Sequence, residues 1–328
     1  MARDNKKTAF TVDPERCIGC GICVDACPLK ILALEDGLCI MTEPTKCLEC
    51  GTCIRECPQD AITIPGVKVS SKTGAEAPRT AEAAPAARGA EKFTPILQHL
   101  TDMIMQELSP KQILEHSGTD IRSLHDFDLE GHSCFYRAYR APKLEKIGLS
   151  RMNFYSTMVA DVVIVTPAPD YDIPYYVMDW DESDEHIFFI CDLMPGDDLG
   201  RNQQMLQNYY YEQLEDCYQE FALIPGMRSS VFHWVRALHS PYIITGTVEK
   251  TPENVAGIYK CAVDYFKAWL AIYRAAQPRD PQSPEMRLIN ERRRQVRAVY
   301  KENDPGVGSL NKFLGDTMAD IALSIIEP

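Results

Sequence analysis

The feature that most constrains this chain is a cysteine pattern that occurs twice within its first 58 residues. The two copies are Cys17, Cys20, Cys23 and Cys27 before Pro28, and Cys47, Cys50, Cys53 and Cys57 before Pro58. Each copy has the spacing C-x2-C-x2-C-x3-C-P. Thiolates three residues apart can occupy three corners of an iron–sulfur cubane, and the proline turns the chain away after the fourth thiolate. The pattern therefore predicts two [4Fe–4S] clusters.

The order of the ligands follows from the same spacing, because in runs of this kind the fourth cysteine ligates the other cluster. We assign one cluster to Cys17, Cys20, Cys23 and Cys57, and the second cluster to Cys47, Cys50, Cys53 and Cys27. The alternative is zinc, but zinc sites usually pair C-x2-C units at longer separations and need only four ligands. Two equal quartets favour clusters. Up to Gly66 the chain resembles a small two-cluster bacterial ferredoxin.

Composition limits the remaining classes of function. The chain has 328 residues and a net charge of −13, which suggests two domains and argues against a nucleic-acid partner. It has no run of 18 apolar residues, and its first seven residues lack the apolar segment of a secretory signal. An odd, scattered set of cysteines lies outside the motifs, which fits a reducing compartment. We expect a cytoplasmic protein with no membrane partner.

A change of composition divides the chain. Residues 67–92 are rich in Ala, Pro, Ser, Glu and Lys and contain no aromatic residue, so they cannot bury enough apolar surface to fold. We interpret this stretch as a flexible linker with a root-mean-square span of about 28 Å. The linker separates a ferredoxin domain, residues 1–66, from a second domain, residues 93–328.

The second domain shows both helical and strand periodicity. Thr94 and Pro95 predict the start of a helix, as an N-cap followed by proline in the first turn. Alternating segments predict strands at 134–140, 151–156, 162–165, 175–179, 187–193 and 242–248. Helical segments are predicted at 202–223, 251–275, 284–301 and 310–326. Successive strands with short links, flanked by helices, predict an α+β fold in which a largely antiparallel sheet forms an α/β/α sandwich.

Four motifs in this domain resemble those of the ferredoxin-dependent bilin reductases. Tyr139-Arg-Ala-Pro142 resembles the family's Y-x-x-P, and residues 167–179, PAPDYDIPYYVMD, are similar to its P-x-P-x-Y-x-x-P-x-F-x-x-D. Cys191-Asp-Leu-Met-Pro195 resembles A-D-L-x-P. Lys301-Glu-Asn-Asp304 with Leu310-Asn-Lys-Phe-Leu-Gly315 resembles N-D-x-x-x-x-x-L-x-K-x-F-G. Their order and spacing extend over most of residues 93–328.

The resemblance implies a bilin held between the sheet and the C-terminal helices. It also implies electrons taken one at a time from ferredoxin, with no flavin or nicotinamide. A fused ferredoxin would put electron donor and acceptor on one chain, and an upstream donor would have to reduce the clusters. The expected activity is reduction of a linear tetrapyrrole, most simply biliverdin. Two alternatives stay open: reduction of another linear tetrapyrrole such as a chlorophyll catabolite, and electron transfer by a protein whose C-terminal domain is a non-catalytic docking module.

Three residues of the second domain are candidates for the site. The family's key aspartate aligns with Asp179, which follows an apolar strand; at the rim of an apolar pocket its neutral form is favoured, so it can donate a proton. The alternative is a solvated turn acid. Asp304 aligns with a second aspartate that some members use as proton donor, or it ends a helix in an Asn-Asp-Pro turn. Arg228 is either a bidentate partner for a bilin propionate or a loop arginine.

The sequence departs from the family at two positions. Some members carry a Glu and a His on the strands before the key aspartate, and the corresponding places here hold Ser150 and Val162. Asp161 is adjacent to Val162, but neighbouring strand residues point to opposite faces of a sheet. The sequence therefore predicts a two-electron reduction rather than a four-electron reduction that needs the missing pair.

Overall fold

The computed structural model describes residues 9–14, 16–17, 19, 21–57, 59–67, 94–129, 132–154, 158–230, 232–304 and 306–328. Cys20 and all but the first residue of the predicted linker lie outside this part of the chain. The chain divides into two compact units, one of Met1–Pro85 with Asp304–Asp320 and one of Ala86–Asn303 with Ile321–Pro328. The predicted boundary near residue 93 did not anticipate that Asp304–Asp320 groups with the first unit.

The first unit is built from very short elements around a small core that includes cysteine side chains. Strand β1 pairs with β4 antiparallel, and β2 pairs with β3 in a hairpin. The hairpin turns through Asp36 and Gly37, whose φ angles of 49° and 77° are those of a type I′ turn. Its elements are β1 (Thr11–Val12), α1 (Ile22–Ala26), β2 (Leu32–Glu35), β3 (Leu38–Met41), α2 (Thr52–Arg55), β4 (Ile62–Thr63) and, from the C-terminal part of the chain, α9 (Val307–Leu314).

The sequence repeat appears in the backbone of this unit. Gly21 and Gly51, thirty residues apart, have φ angles of 76° and 73° and precede α1 and α2. Gly19 and Glu49 are also equivalent and adopt φ angles of 62° and 54°. Gly19 must be glycine, because a Cβ there would lie 2.6 Å from the carbonyl oxygen of Gly37. The two cysteine copies therefore share one backbone conformation and differ in their surroundings.

The second unit contains an antiparallel sheet of eight strands among the described residues. Its order is β14-β13-β12-β11-β10-β9-β5, and β8 also pairs with β9. A separate two-stranded hairpin, β6 with β7, lies between β5 and β8 in the chain. The strands are β5 (Lys111–Ile113), β6 (Glu115–His116), β7 (Thr119–Asp120), β8 (Phe127–Leu129), β9 (His132–Arg140), β10 (Leu144–Phe154), β11 (Met158–Pro167), β12 (Tyr175–Glu182), β13 (His186–Met194) and β14 (Ile244–Glu249).

Helices cover both faces of this sheet. On the first face, α3, α5 and α7 pack over the main core, and Tyr176 of β12 donates a hydrogen bond to the carbonyl of Ala262 in α7. On the second face, Arg293 of α8 lies over the ring of Tyr175, the preceding residue of β12. The helices are α3 (Pro95–Leu108), α4 (Gln203–Met205), α5 (Glu215–Phe221), α6 (His233–Leu238), α7 (Pro252–Ala275), α8 (Pro284–Asn303) and α10 (Asp316–Ile326). The α/β/α sandwich is confirmed.

The end of α10 lies close against the second face of the sheet. Lys146 of β10 donates hydrogen bonds of 2.6 Å to the carbonyls of Ser324 and Glu327. Two residues further along β10, a Cβ on Gly148 would lie 1.9 Å from the carbonyl oxygen of Ile325. Glycine at this position therefore permits the helix to approach the strand.

Several predicted elements are confirmed and others differ. Thr94 caps α3 by accepting a hydrogen bond from the backbone N–H of Leu97. The predicted helix 202–223 is divided into α4, a π-helical stretch Leu206–Tyr211 and α5. The predicted helix 310–326 breaks at Gly315, whose φ is 73°. Strands β5 to β8 were not predicted. Within the described ranges, no helix is long and apolar enough to cross a membrane.

Candidate functional site

Four of the motif cysteines line one cavity in the first unit. Cys27, Cys47, Cys50 and Cys53, the quartet assigned to the second cluster, line this cavity, and its other lining is mainly apolar. The cavity thus brings four cysteine side chains together within a mainly apolar lining. Across the described ranges, no group of three or more His, Cys, Asp or Glu side chains could hold a metal ion.

The electrostatics of this quartet also fit an iron–sulfur cluster. Burial raises the pKa of Cys27, and the neighbouring Cys50 and Cys47 raise it further; burial also raises the pKa of Cys53. Crowded, buried thiolates need positive charge beside them, which the iron ions of a cluster supply. Two of the sulfurs already have hydrogen-bond partners: the backbone N–H of Glu49 donates to Cys47 Sγ at 3.4 Å, and Cys50 Sγ and Thr52 Oγ1 share a hydrogen bond of 3.4 Å.

Three members of the other quartet are described, Cys17, Cys23 and Cys57, whereas Cys20 lies outside the described residues. The backbone N–H of Ala61 donates to Cys57 Sγ at 3.3 Å. Cys23 forms a hydrogen bond with Cys39, a buried residue of β3, and this bond lowers the pKa of Cys23 to about 7. No role was predicted for Cys39, because it belongs to neither copy of the cysteine motif.

In the second unit, the strand register places Asp179 in a row of residues that crosses the sheet. Asp179 is directly opposite Val162 of β11 on one side and Ile190 of β13 on the other. Val162 is in turn opposite Ser150 of β10, and Ile190 is opposite Thr245 of β14. Directly opposite residues project from the same face, so these five side chains share the face that α8 covers. Asp179 and Val162 are half-buried, and the other three are buried.

Asp161 projects from the opposite face, as predicted. Its carboxylate accepts two hydrogen bonds from Arg151, of 2.8 and 2.7 Å, and a third from the hydroxyl of Thr94 at the start of α3. Burial raises the pKa of Asp161, and Arg151 opposes that shift. Asp161 is therefore a structural anchor between β11 and α3, with its oxygens already engaged.

The remaining candidates lie in different places. Arg228 is exposed, and its backbone N–H donates to the carbonyl of Thr245, so it extends the row of Asp179 beyond the edge strand. Three strand spacings of about 4.8 Å separate it from Asp179, or roughly 14 Å. Asp304 belongs to the first unit and accepts a 2.6 Å hydrogen bond from the backbone N–H of Gly306. Burial raises the pKa of Asp304, and Arg55 opposes that rise.

The sequence did not single out a buried hydrogen-bonded chain on the face that carries Asp179. His239 Nδ1 lies 3.0 Å from Asp192 Oδ2, and His239 Nε2 lies 2.6 Å from the hydroxyl of Tyr300. Ser240 donates to Asp192 through its backbone N–H at 2.9 Å and its hydroxyl at 2.5 Å. Asp192 does lie in the Cys191–Pro195 motif, but no local pattern marks His239 or Tyr300.

Comparisons with known proteins cover both units. A model of the ferredoxin-dependent bilin reductase family matches residues 107–324, and a model of the 4Fe-4S binding domain matches residues 10–32 and 38–63. The chain is 56% identical over 55 residues to Ferredoxin-3 of Desulfocurvibacter africanus, spanning 17% of this chain and 90% of that protein. It is 54% identical over 26 residues to Ferredoxin-2 of Desulfomicrobium norvegicum, spanning 8% of this chain and less than half, 44%, of that protein.

A solved structure shares the fold. The crystal structure of phytochromobilin synthase from tomato in complex with biliverdin is similar with a TM-score of 0.54 and 16% sequence identity. The match covers 70% of this chain and 78% of that chain. The sequence matches identify the N-terminal segment as a ferredoxin-type iron–sulfur domain, and the structural match supports the architecture of the second unit.

Proposed function

The chain belongs to the ferredoxin-dependent bilin reductase family, and we propose that it reduces biliverdin with electrons from its own ferredoxin domain and a proton from Asp179. Membership makes it an oxidoreductase. The related tomato enzyme was crystallised with biliverdin, which supports this substrate. The observation that carries the proposal is the position of Asp179, which is half-buried on the helix-covered face of the sheet in a row with Ser150, Val162, Ile190 and Thr245.

We infer two [4Fe–4S] clusters, held by the two quartets that the repeat defines. The cavity lined by Cys27, Cys47, Cys50 and Cys53 supports the second of them. When bound, the clusters supply single electrons, so an upstream donor must reduce them before each turnover. Because the clusters would supply the electrons, the side chains of the second unit would have to bind the bilin and donate protons to it.

Asp179 can deliver a proton to a ring nitrogen or carbon of the reduced bilin. The residues next in the row cannot act as proton donors in its place. Val162 has no acidic proton, and the hydroxyl of Ser150 is only weakly acidic. Asp161, the other acid of this strand pair, is bound by Arg151 on the opposite face. A single carboxylic acid in the row supports a two-electron reduction.

Two further roles are proposed on weaker grounds. Arg228 stands at the exposed end of the row of Asp179, where its guanidinium could bind a propionate. Asp304 is a second candidate proton donor, and the burial that raises its pKa favours the protonated form. We also place the protein in the cytoplasm, because its five cysteines outside the cluster motifs are odd in number and scattered along the chain.

The test is an anaerobic titration of the full chain with one equivalent of biliverdin, followed by reductant, with the bilin absorption bands as readout. The wild type should bind stoichiometrically and form a blue-shifted product. Asp179→Asn should bind the bilin but slow its conversion by about 10²–10⁴-fold, the usual contribution of a general acid. Asp181→Asn is the matched control, since Asp181 lies two residues further on the same face of β12 and is also half-buried.

The outcomes separate the alternatives. If Asp179→Asn converts biliverdin as fast as Asp181→Asn, the proposed proton donor is wrong. Tight binding of biliverdin without conversion would favour another linear tetrapyrrole as substrate. Reducible clusters with no bilin binding would leave an electron-transfer protein whose second unit is a docking module.

A further inference from the structure

Asp192, His239 and Tyr300 form a buried series of hydrogen-bonded side chains that has the properties of a proton relay. Asp192 is fully buried and accepts hydrogen bonds from both groups of Ser240, so its carboxylate is fixed. The ring nitrogen that faces this carboxylate must carry a hydrogen, which directs the other nitrogen of His239 to the Tyr300 hydroxyl. The Asp192 carboxylate, the His239 ring and the Tyr300 hydroxyl thus contact one another directly in series, at 3.0 and 2.6 Å.

The relay lies on the same face of the sheet as Asp179. Asp192 is directly opposite Val177, which is two residues from Asp179 on β12 and shares its face. This diagonal relation corresponds to a separation of about 7–8 Å between Asp192 and Asp179. Tyr300 Oη also lies 3.9 Å from the sulfur of Met194, two residues beyond Asp192 and again on this face. The opposite face, under α3 and α7, contains neither His239 nor Tyr300.

The packing of Tyr300 is consistent with a proton-donating hydroxyl rather than with a purely structural core residue. Its ring meets Trp234 edge-on at 4.9 Å, and it comes from α8, whereas His239 follows α6 and Asp192 lies in β13. The three residues of this hydrogen-bonded series therefore come from three separate secondary-structure elements. A buried tyrosine needs only one partner for its hydroxyl, and a backbone carbonyl usually serves, as Tyr242 does for Tyr265.

We propose that Tyr300 is a second proton donor to the bilin, with His239 and Asp192 as the positioning residues that supply and hold its proton. The inference rests on the proposed function. A two-electron reduction takes up two protons, and the carboxylic acid of Asp179 carries one. In the second transfer, the Tyr300 O–H bond breaks as its proton passes to the reduced bilin. In this proposal His239 begins the step protonated on both ring nitrogens; its Nε2–H proton moves to the Tyr300 oxygen, and the ring becomes neutral while it keeps its Nδ1–H bond to Asp192.

The test uses Tyr300→Phe and His239→Gln in the full chain with its clusters loaded. Tyr265→Phe is the matched control, because it removes a buried tyrosine hydroxyl from the opposite side of the sheet. Both relay variants should bind one equivalent of biliverdin and accept the first electron as the wild type does. Decay of the one-electron-reduced bilin should then slow by about a hundredfold, with a changed solvent deuterium isotope effect.

Because the groups act in series, the double variant Tyr300→Phe/His239→Gln should be no slower than the slower single variant. The proposal is overturned if Tyr300→Phe decays at the rate of Tyr265→Phe, or if the two single effects multiply. Tyr300→Phe keeps the aromatic ring, so it stays informative if His239→Gln does not fold. A wild type that neither binds nor reduces biliverdin would instead overturn the proposed function itself, and the relay with it.

Discussion

Replacing Asp161 by alanine tests which face of β11 carries the chemistry. The structure places the Asp161 carboxylate against Arg151, with both side chains almost fully buried, and against the hydroxyl of Thr94. Removing the carboxylate leaves the guanidinium buried without its counter-ion. Breaking a buried pair from one side costs about 3–5 kcal/mol, because the remaining charge is still desolvated. We expect Asp161→Ala to destabilise the second unit by this amount and to leave the rate of bilin reduction per folded molecule unchanged.

Urea unfolding followed by tryptophan fluorescence measures the cost. With a dependence of about 2 kcal/mol per molar urea, a loss of 4 kcal/mol lowers the midpoint by about 2 M. The double variant Asp161→Leu/Arg151→Met should recover much of the loss, since replacing both members of a buried pair by apolar groups is often neutral. Asp181→Ala, a half-buried acid on the other face, should change stability by under about 1 kcal/mol.

Two results would refute the reasoning. A loss below about 1 kcal/mol in Asp161→Ala would mean that the carboxylate is not buried against Arg151, and the register of β10 and β11 would be wrong. If Asp161→Ala keeps its stability but loses bilin reduction, the proton donor would be Asp161 and the bilin would bind on the face of the sheet that carries it.

Two further predictions concern the cluster loop and the sheet. Gly19→Ala should lower the iron content per chain well below that of Gly37→Ala, because both residues have positive φ but only the Gly19 Cβ would clash with backbone; equal iron contents would contradict this. Burial lowers the pKa of Lys146 to about 7, so between pH 7 and 10 the unfolded chain binds more protons at this residue than the folded chain, and stability rises with pH. Denaturant unfolding at each pH measures the difference in free energy of unfolding between the wild type and Lys146→Met. This difference should increase across the window, by about 5 kcal/mol at most. A difference that stays constant or falls with pH would be inconsistent with a buried amine.

Local patterns were sufficient for much of the architecture. Cysteine spacing identified the ferredoxin domain, and alternation of apolar residues located the long strands. The spacing between motifs also pointed to Ser150 and Val162 on the strands before Asp179; in the register, Val162 is opposite Asp179 and Ser150 is opposite Val162. These features are predictable because each depends on residues close in sequence, on a fixed two-residue period or on a resemblance that carries spacing with it.

Other features depend on contacts between distant residues and had no local signal. His239 is 47 residues from Asp192 and 61 from Tyr300, so no periodicity joins them. The break at Gly315 and the grouping of Asp304–Asp320 with the first unit depend on tertiary packing, which overrides helical periodicity. Strands β5 to β8 have two or three residues each, too few to establish a period.

The two acids of the central strand pair show why position, and not residue type, decides the proposed role. Asp161 and Asp179 lie on neighbouring strands, in adjacent rows and on opposite faces. Asp161 accepts hydrogen bonds from a guanidinium and a hydroxyl, and such bonds stabilise the ionised form and resist protonation. Asp179 is half-buried between Val162 and Ile190, on the face of the sheet that α8 covers. Of these two carboxyl groups, Asp161 is bound by Arg151 and Thr94 on the face away from α8, whereas Asp179 is partly accessible on the helix-covered face, where the proposed proton donor to a bound tetrapyrrole is required.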